Sequence, residues 1–199
     1  MTPRPQLWVI AGPNGSGKST LTAKHKLHER MPVINPDEIA KELPDHSPVK
    51  AGKMAILEQE RLLAQGSTFA LETTLSGKRE LELMRRAREA GYKANLVFIA
   101  TAGPKINIGR VIERLANGGH DVPDEDVERR YQRALEKLPE AIKNADRSFV
   151  LDNSRSSQGM RLLFSRGHTR VKYVSRNMPE WARTSLEKYV KEHNMDMGL

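Results

Sequence analysis

The chain has no cysteine, few aromatic residues and no long apolar run. The lack of cysteine excludes disulfide bonds and thiolate metal sites. No apolar stretch approaches the roughly 20 residues that a membrane-spanning helix needs, and the first residues do not resemble a secretion signal. Two histidines, His25 and His28, stand at helical spacing, which fits a solvated surface pair better than a metal site. We therefore expect a cytoplasmic protein without a membrane partner.

The scarcity of aromatic residues, 5% of the chain, also bears on nucleic-acid binding. The net charge is +8, and residues 147–199 carry ten lysines and arginines against five acidic residues. Such a balance suits an anionic ligand, either a phosphorylated small molecule or a nucleic acid, although a solvated surface would look the same. The aromatic residues are not interleaved with the basic ones, which disfavours a stacking platform for single strands. The composition therefore argues against a nucleic-acid partner.

The strongest motif in the chain is G-x-x-x-x-G-K-S at positions 12–19. It follows the apolar run 7–11, a predicted strand, and precedes a predicted helix. In this arrangement backbone N–H groups and a helix N-terminus surround phosphates, Lys18 reaches the β- and γ-phosphates, and the Ser19 hydroxyl ligates Mg²⁺. A glycine-rich turn that binds nothing is the alternative. The residues predicted to bind ATP·Mg²⁺ are Gly12, Asn14, Gly15, Ser16, Gly17, Lys18, Ser19 and Thr20.

Polar residues follow two further predicted strands. Asp37 comes directly after the short segment 33–35, at the carboxyl edge where such sheets place their chemistry. We predict that it is the catalytic base, and capping of the helical turn 38–43 is an alternative that is compatible with this role. The predicted strand 67–71 ends in a carboxylate and two hydroxyls, Glu72, Thr73 and Thr74, which form a polar cluster beside the P-loop.

Residues 104–135 are predicted to form two helices, which could act as a lid over the phosphate site. The first carries Arg110 and Arg114, and the second carries Arg129, Arg130 and Arg133. The glycines 118–119 between them could act as a hinge, and arginine side chains bind phosphoryl oxygens bidentately and neutralise charge in the transition state. A helical hairpin with solvated arginines is the alternative.

The remaining segments complete an α/β pattern. A predicted strand at 148–151 precedes Asn153, a candidate for contact with the purine base, and residues 155–199 are predicted to add a small β-hairpin and a helix. Five strands alternating with helices predict a single domain, 1–199, with a P-loop NTPase fold and a five-stranded parallel sheet. By analogy with nucleotide kinases, we expect the strand order 2-3-1-4-5.

Four blocks, in this order, resemble the zeta toxin family of small P-loop kinases, particularly its short bacterial branch. They are the P-loop 12–19, Ile34-Asn35-Pro36-Asp37, Glu72-Thr73-Thr74-Leu75-Ser76-Gly77, and the block 118–123 followed by Arg130-Tyr131. The resemblance extends from the P-loop to Ser154. Characterised members are ATP-dependent kinases that phosphorylate the 3′-hydroxyl of the aminosugar in UDP-N-acetylglucosamine, and chloramphenicol phosphotransferases are similar in outline.

The resemblance implies ATP and Mg²⁺ as cofactors and a separate antitoxin as a partner. It makes Lys18 the phosphate-binding lysine, Asp37 the base and Arg114 a lid arginine. It also makes Glu72 and Thr73 substrate-side residues.

Two positions depart from the family pattern. Ile56 stands where the classical toxins have a substrate-binding glutamate, with Glu58 and Glu60 nearby. His120 stands nearest to their second lid arginine, so we expect it on the substrate side and Arg129 or Arg130 in the arginine's role.

Three functions are compatible with the sequence. The first is an ATP-dependent kinase acting on a hydroxyl of a small molecule such as a nucleotide sugar, with Lys18, Asp37, Arg114 and Arg130 as its catalytic residues. The second is a polynucleotide or nucleoside kinase that binds nucleic acid through the basic last quarter. The third is a nucleotide-dependent binding module without phosphotransfer, although no water-orienting glutamine is evident.

Overall fold

The protein folds into an α/β structure in a computed structural model that describes residues 3–118, 122–155 and 158–196. The strands are β1 (Gln6–Ala11), β2 (Val33–Ile34), β3 (Phe69–Thr73), β4 (Lys93–Ala100), β5 (Arg147–Asp152), β6 (Arg161–Arg166) and β7 (Val171–Val174). The helices are α1 (Lys18–Lys24), α2 (Pro36–Glu42), α3 (Pro48–Ala64), α4 (Arg79–Glu89), α5 (Pro104–Ala116), α6 (Asp124–Asn144) and α7 (Glu180–Asp196).

One sheet contains all of these strands, in the order β2-β3-β1-β4-β5-β6-β7. The first five pair in parallel, so the predicted order 2-3-1-4-5 is confirmed. The five parallel strands and the C-terminal hairpin are both present, but the sheet has seven strands among the described residues, because β6 pairs antiparallel with β5 and β7 pairs antiparallel with β6. The hairpin thereby satisfies the backbone groups of β5, which would otherwise form an open sheet edge.

The last helix packs into the main core. Trp181, Leu186 and Tyr189 are buried there, and the Trp181 ring lies 6.3 Å from the Phe98 ring of β4. The predicted hairpin and last helix therefore continue the sheet and its core. Among the described residues, no helix combines the length and the apolar character needed to cross a bilayer.

Parallel pairing places the carboxyl ends of β1 to β5 along one edge of the sheet. Each end leads into a polar residue or loop: the P-loop after β1, Asn35 after β2, Glu72 near the end of β3, Thr101 after β4 and Asn153 after β5. Buried apolar strands such as β4 fix this edge in place, because the side chains on both faces of β4 are covered. The edge is where ligands bind in sheets of this kind.

Tyr92 provides a test of how α3 is joined to the sheet. It is buried, and its hydroxyl lies 3.0 Å from the carbonyl oxygens of both Leu62 and Ser67, at the end of α3 and in the loop after it. Tyr92→Phe removes this donor while keeping the ring, and we expect a loss of about 1–2 kcal/mol in the free energy of unfolding measured in urea. The matched change at the exposed Tyr173 should have no measurable effect. Equal effects of the two changes would contradict this assignment.

Candidate active site

A cleft of about 970 Å³ opens at the carboxyl edge of the sheet. The P-loop and α1 form its floor, and residues of α2, α3, α4, α5 and α6 form its walls. A volume near 1,000 Å³ is at the upper end of the range for small-molecule sites. The residues that line the cleft include five of the predicted site residues: Lys18, Asp37, Glu72, Arg114 and Arg130.

The P-loop has the tight path that its glycines permit. Gly15 has φ 71°, and a Cβ there would lie 2.5 Å from the carbonyl oxygen of Asn107. Gly12 has φ 146°, and a Cβ there would lie 2.0 Å from the carbonyl oxygen of Ile99. Side chains at these positions would force the loop away from α5 and β4. Close packing against α5 and β4 therefore requires glycine at these two positions, in addition to any requirement set by a bound phosphate.

Three successive P-loop carbonyls accept hydrogen bonds from outside the loop. Asn107 Nδ2 donates to the carbonyl of Asn14, Arg110 Nη1 to that of Gly15 at 3.3 Å, and Asn153 Nδ2 to that of Ser16 at 2.8 Å. Because a trans peptide directs its N–H away from its C=O, these bonds fix the direction of the loop's N–H groups. Asn153, predicted to contact a purine base, uses its amide here to hold the loop, so the base contact stays a prediction.

The loop has an orphaned polar atom as well as this scaffold. Ser16 is completely buried, and its Oγ has no hydrogen-bond partner among the described residues. A buried hydroxyl without a partner is unusual. Ser16 does not line the cleft, and its Oγ lies 2.9 Å from the position that a Cβ on Gly12 would occupy. The glycine cradle, rather than this hydroxyl, is therefore the feature that fits a triphosphate.

Lys18 lies at the centre of the charge pattern. Its Nζ donates to the carbonyls of Gly12 at 2.8 Å and Pro13 at 3.1 Å. Burial lowers the pKa of Lys18 to about 8, although the negative charges of Glu72 and Asp37 oppose that shift. Both carboxylates of the predicted site are thus close enough to act on the lysine.

Glu72 is the most fully bonded acidic group in the cleft. It is 3% exposed, and its carboxylate accepts hydrogen bonds from Ser19 Oγ at 2.8 Å, Thr22 Oγ1 at 2.6 Å and Asn35 Nδ2 at 3.1 Å. These donors come from α1 and from the end of β2. Glu72 therefore joins three segments of the edge, a role that goes beyond the predicted contact with substrate.

Asp37 is held by a cap on its own helix. Asn35 is the N-cap of α2, and its Oδ1 accepts from the Asp37 backbone N–H at 3.0 Å. Asp37 is therefore in the first turn and does not itself cap the helix. Its side chain is exposed on the cleft wall, and no described residue donates a hydrogen bond to its carboxylate. The carboxylate is available to an incoming hydroxyl group.

The turn between β3 and α4 forms the next part of the wall. The Thr73 hydroxyl donates to Glu80 Oε1 at 2.7 Å and accepts from the Leu75 backbone N–H at 3.0 Å. Thr74 Oγ1 and Ser76 Oγ lie 2.9 Å apart, and both residues line the cleft. Thr73 was predicted to bind substrate, but its hydroxyl is engaged within the turn. Thr74 keeps the position expected of a substrate-side residue.

The arginines of the predicted lid differ in their contacts. Arg130 donates to Asn14 Oδ1 at 3.2 Å, also lies 3.5 Å from an oxygen of Asp126, and lines the cleft. Arg129 pairs with Asp126 at 2.7 Å and is exposed, as is Arg133. The structure therefore brings Arg130 to the P-loop, together with Arg114 on the cleft wall. His120, the other predicted residue here, lies outside the described residues.

Helix α3 also differs from the family pattern in its acidic residues. Glu58 pairs with Arg61 and Glu60 pairs with Arg86, each at 2.6 Å, and neither glutamate lines the cleft. Ile56 and Gln59 face it instead, and Gln59 is 8% exposed.

Four site residues were missed by the analysis of the sequence: Asn35, Gln59, Glu80 and Asn107. Asn35 stood inside a recognised block, and the other three carried no signal beyond their helical positions. These residues act through side-chain contacts with residues far away in the sequence, and a local sequence pattern does not reveal such contacts.

The family assignment rests on residues 1–160 of the 199-residue chain. The sequence profile of the Zeta toxin family matches residues 1–160. The chain belongs to the Zeta toxin family. An uncharacterised protein of Haemophilus influenzae is 33% identical over 139 residues, which is 64% of this chain and 99% of that protein.

Solved structures show the same fold. A structure of the PezAT chromosomal toxin–antitoxin system of Streptococcus pneumoniae has a TM-score of 0.67 at 15% identity, covering 100% of this chain and 89% of the other. A structure of AvrRxo1-ORF1:-ORF2 with ATP has a TM-score of 0.71 at 14% identity, covering 94% and 76%. At these identities the likeness shows a shared fold.

The lowered pKa of Lys18 can be measured directly. We expect one lysine in side-chain NMR spectra to titrate near pH 8, where Lys18 changes from charged below that pH to neutral above it. That signal should be absent in Lys18→Met. In Glu72→Gln it should titrate lower still, because the Glu72 charge raises the pKa. Glu29→Gln, which removes the ion-pair partner of Lys26, should leave the titration of the Lys18 signal unchanged. Titration of every lysine above pH 10 would contradict the assignment.

Proposed function

We propose that the chain is an ATP-dependent phosphotransferase that moves the γ-phosphate to a hydroxyl of a small molecule, of the nucleotide-sugar class that includes UDP-N-acetylglucosamine. The observation that carries this proposal is the placement of Asp37. An exposed carboxylate without a hydrogen-bond donor lines the same cleft as the phosphate-binding lysine and acts electrostatically on it. Membership of the Zeta toxin family supports the reaction class.

The residues around the P-loop fit ATP with Mg²⁺. Ser19 and Glu72, 2.8 Å apart, supply the hydroxyl and the acidic group that hold the metal in P-loop enzymes. When bound, Mg²⁺ supplies charge neutralisation between the β- and γ-phosphates. Among the described residues, no three acidic or histidine side chains cluster as an independent metal site, so the metal would arrive with the nucleotide.

Lys18 and the lid arginines supply the remaining positive charge. Lys18 would exchange its two loop carbonyls for phosphate oxygens, a better pairing for an ammonium group in a partly buried site. Arg114 and Arg130 line the wall above it, where guanidinium groups can stabilise charge on the transferring phosphoryl group. Charge and positioning carry most of the rate in such a loose transition state.

Asp37 acts on the acceptor. Its carboxylate would accept a hydrogen bond from the attacking hydroxyl, orient it toward the γ-phosphate and take its proton late in the reaction. Glu72 holds Asn35, and Asn35 caps the helix of Asp37, so the base is positioned by the same carboxylate that holds Ser19.

The acceptor half of the cleft has features that suit a nucleotide sugar. Gln59 and Thr74 offer amide and hydroxyl groups for sugar hydroxyls, and Arg79 adds a positive charge for a diphosphate. We also propose a separate antitoxin partner and a cytoplasmic location. The similarity to the PezAT toxin–antitoxin system supports the partner, and the absence of a membrane-spanning helix among the described residues is consistent with the location.

The role of Asp37 is tested by two neighbouring carboxylates on α2. Asp37→Asn should lower phosphotransfer by about 10²-fold or more, because a general base contributes 10²- to 10⁴-fold. Glu38 is also exposed but does not line the cleft, so Glu38→Gln should keep full activity. Lys18→Ala should abolish transfer. The measurement is transfer of label from γ-labelled ATP, and circular dichroism checks the fold of each variant.

The acceptor is found with the same assay on a panel of nucleotide sugars, nucleotides, aminoglycosides and phenolic drugs. Labelling of a nucleotide sugar is the expected result. Full transfer by Asp37→Asn would remove Asp37 from the mechanism, and labelling confined to nucleotides or drugs would overturn the substrate class.

A further inference from the structure

The turn that follows β3 is strained at its centre. Leu75 has φ 55°, in the left-handed region that non-glycine residues rarely adopt, and its side chain is completely buried. Such a conformation costs about 1–3 kcal/mol and persists only where its surroundings hold it. Neighbouring residues on both sides of Leu75 line the cleft, so the strain lies within the acceptor wall.

The Thr73 hydroxyl is the group that holds this conformation. It accepts the hydrogen bond of the Leu75 backbone N–H at 3.0 Å and donates its own proton to Glu80 Oε1 at 2.7 Å. A hydroxyl that donates and accepts at once has its orientation fixed. Glu80 therefore acts on Leu75 through Thr73, across the turn that joins β3 to α4.

Glu80 itself is only half satisfied. Its Oε1 accepts from Thr73, but its Oε2 is buried and has no hydrogen-bond partner among the described residues. An unsatisfied carboxylate oxygen away from water costs stability, and such groups call for an explanation when they occur in native structures. Glu80 also lines the cleft on the acceptor side.

The residues in and next to this turn line the part of the cleft where the proposed acceptor would bind. Glu72 precedes Thr73 and holds Ser19 and Asn35, while Thr74 faces the cleft beside Ser76. A shift of the turn would move Thr74 directly and would loosen the strand end that carries Glu72. Misplacement by about 1 Å can cost a reaction 10²-fold, so small shifts matter here.

We propose that Glu80 is a positioning residue for phosphoryl transfer, which acts through Thr73 to fix the Thr73–Ser76 turn and thereby the acceptor wall of the cleft. This inference rests on the proposed function. It changes the role of Thr73 from a substrate contact to a link inside the wall. Glu80 touches neither the nucleotide site nor the reacting atoms in this assignment.

The first test needs no substrate. Hydrogen exchange of the Leu75 backbone amide, measured by NMR, should be at least tenfold faster in Glu80→Ala and in Thr73→Val. In Glu80→Gln it should stay within about threefold of the unmodified chain, because the glutamine oxygen still accepts from Thr73. Glu82→Ala is the matched control on the same helix, since Glu82 is exposed and pairs with Arg85, and it should change nothing at Leu75.

The second test uses phosphotransfer with the acceptor identified by the γ-labelled ATP assay. Glu80→Ala and Thr73→Val should lower kcat by about 10- to 100-fold or raise the acceptor KM, with the KM for ATP unchanged. Glu80→Gln should restore the rate to within about threefold. The double variant Thr73→Val/Glu80→Ala should be no worse than Thr73→Val alone, since the two residues act in one chain.

Several outcomes would overturn the proposal. Glu80→Gln as defective as Glu80→Ala would show that the charge acts directly, and additive effects in the double variant would show that Thr73 and Glu80 act separately. Unchanged exchange at Leu75 in Thr73→Val would remove the link itself. If no acceptor is labelled, the exchange experiment still decides the link, so its failure is distinguishable from failure of the kinase assignment. Should Glu80→Ala not fold, Thr73→Val with Glu80→Gln gives the same answers.

Discussion

The structure of the cleft depends on one buried carboxylate. Glu72 accepts hydrogen bonds from Ser19, Thr22 and Asn35, and so joins the P-loop helix, the end of β2 and the end of β3. A buried charge is tolerated only when it is fully hydrogen-bonded or paired, and the positive charge of Lys18 lies close by. Glu72 therefore couples the proposed phosphate site to the proposed base, Asp37, through Ser19 and Asn35.

Helices α5 and α6, which were predicted to form a lid, are hydrogen-bonded to the P-loop. Asn107 and Arg110 hold two loop carbonyls from the first half of α5, and Arg130 reaches Asn14 from α6. The Tyr131 hydroxyl further ties α6 to the carbonyl of Thr101 at 2.7 Å. If these helices close over a nucleotide, the movement would involve the C-terminal end of α5 and the N-terminal end of α6, while Asn107, Arg110 and Arg130 keep their contacts with the P-loop. The arginines could then approach a phosphate without a change in the P-loop itself.

The two walls of the cleft differ in how their polar groups are used. On the nucleotide side most of them hold the loop, as Asn153 does, whereas on the acceptor side Asp37 and Gln59 remain available to a ligand. Solved relatives at 14–15% identity keep this fold, so the scaffold tolerates wide changes in sequence. Departures such as Ile56 on α3 fall on the acceptor wall.

The strand order 2-3-1-4-5 was expected from analogy with nucleotide kinases, whereas the sequence by itself determined the P-loop, the alternation of strands and helices, and the strand ends that carry Asp37 and Glu72. These follow from local signals, since glycine spacing, short apolar runs and helix caps act between near neighbours. Only the tertiary structure decided that the hairpin extends the sheet, that Arg130 rather than Arg129 contacts the P-loop, and that the Thr73 hydroxyl donates to Glu80. Each of those depends on contacts between distant segments, and single-sequence patterns carry no record of such pairing.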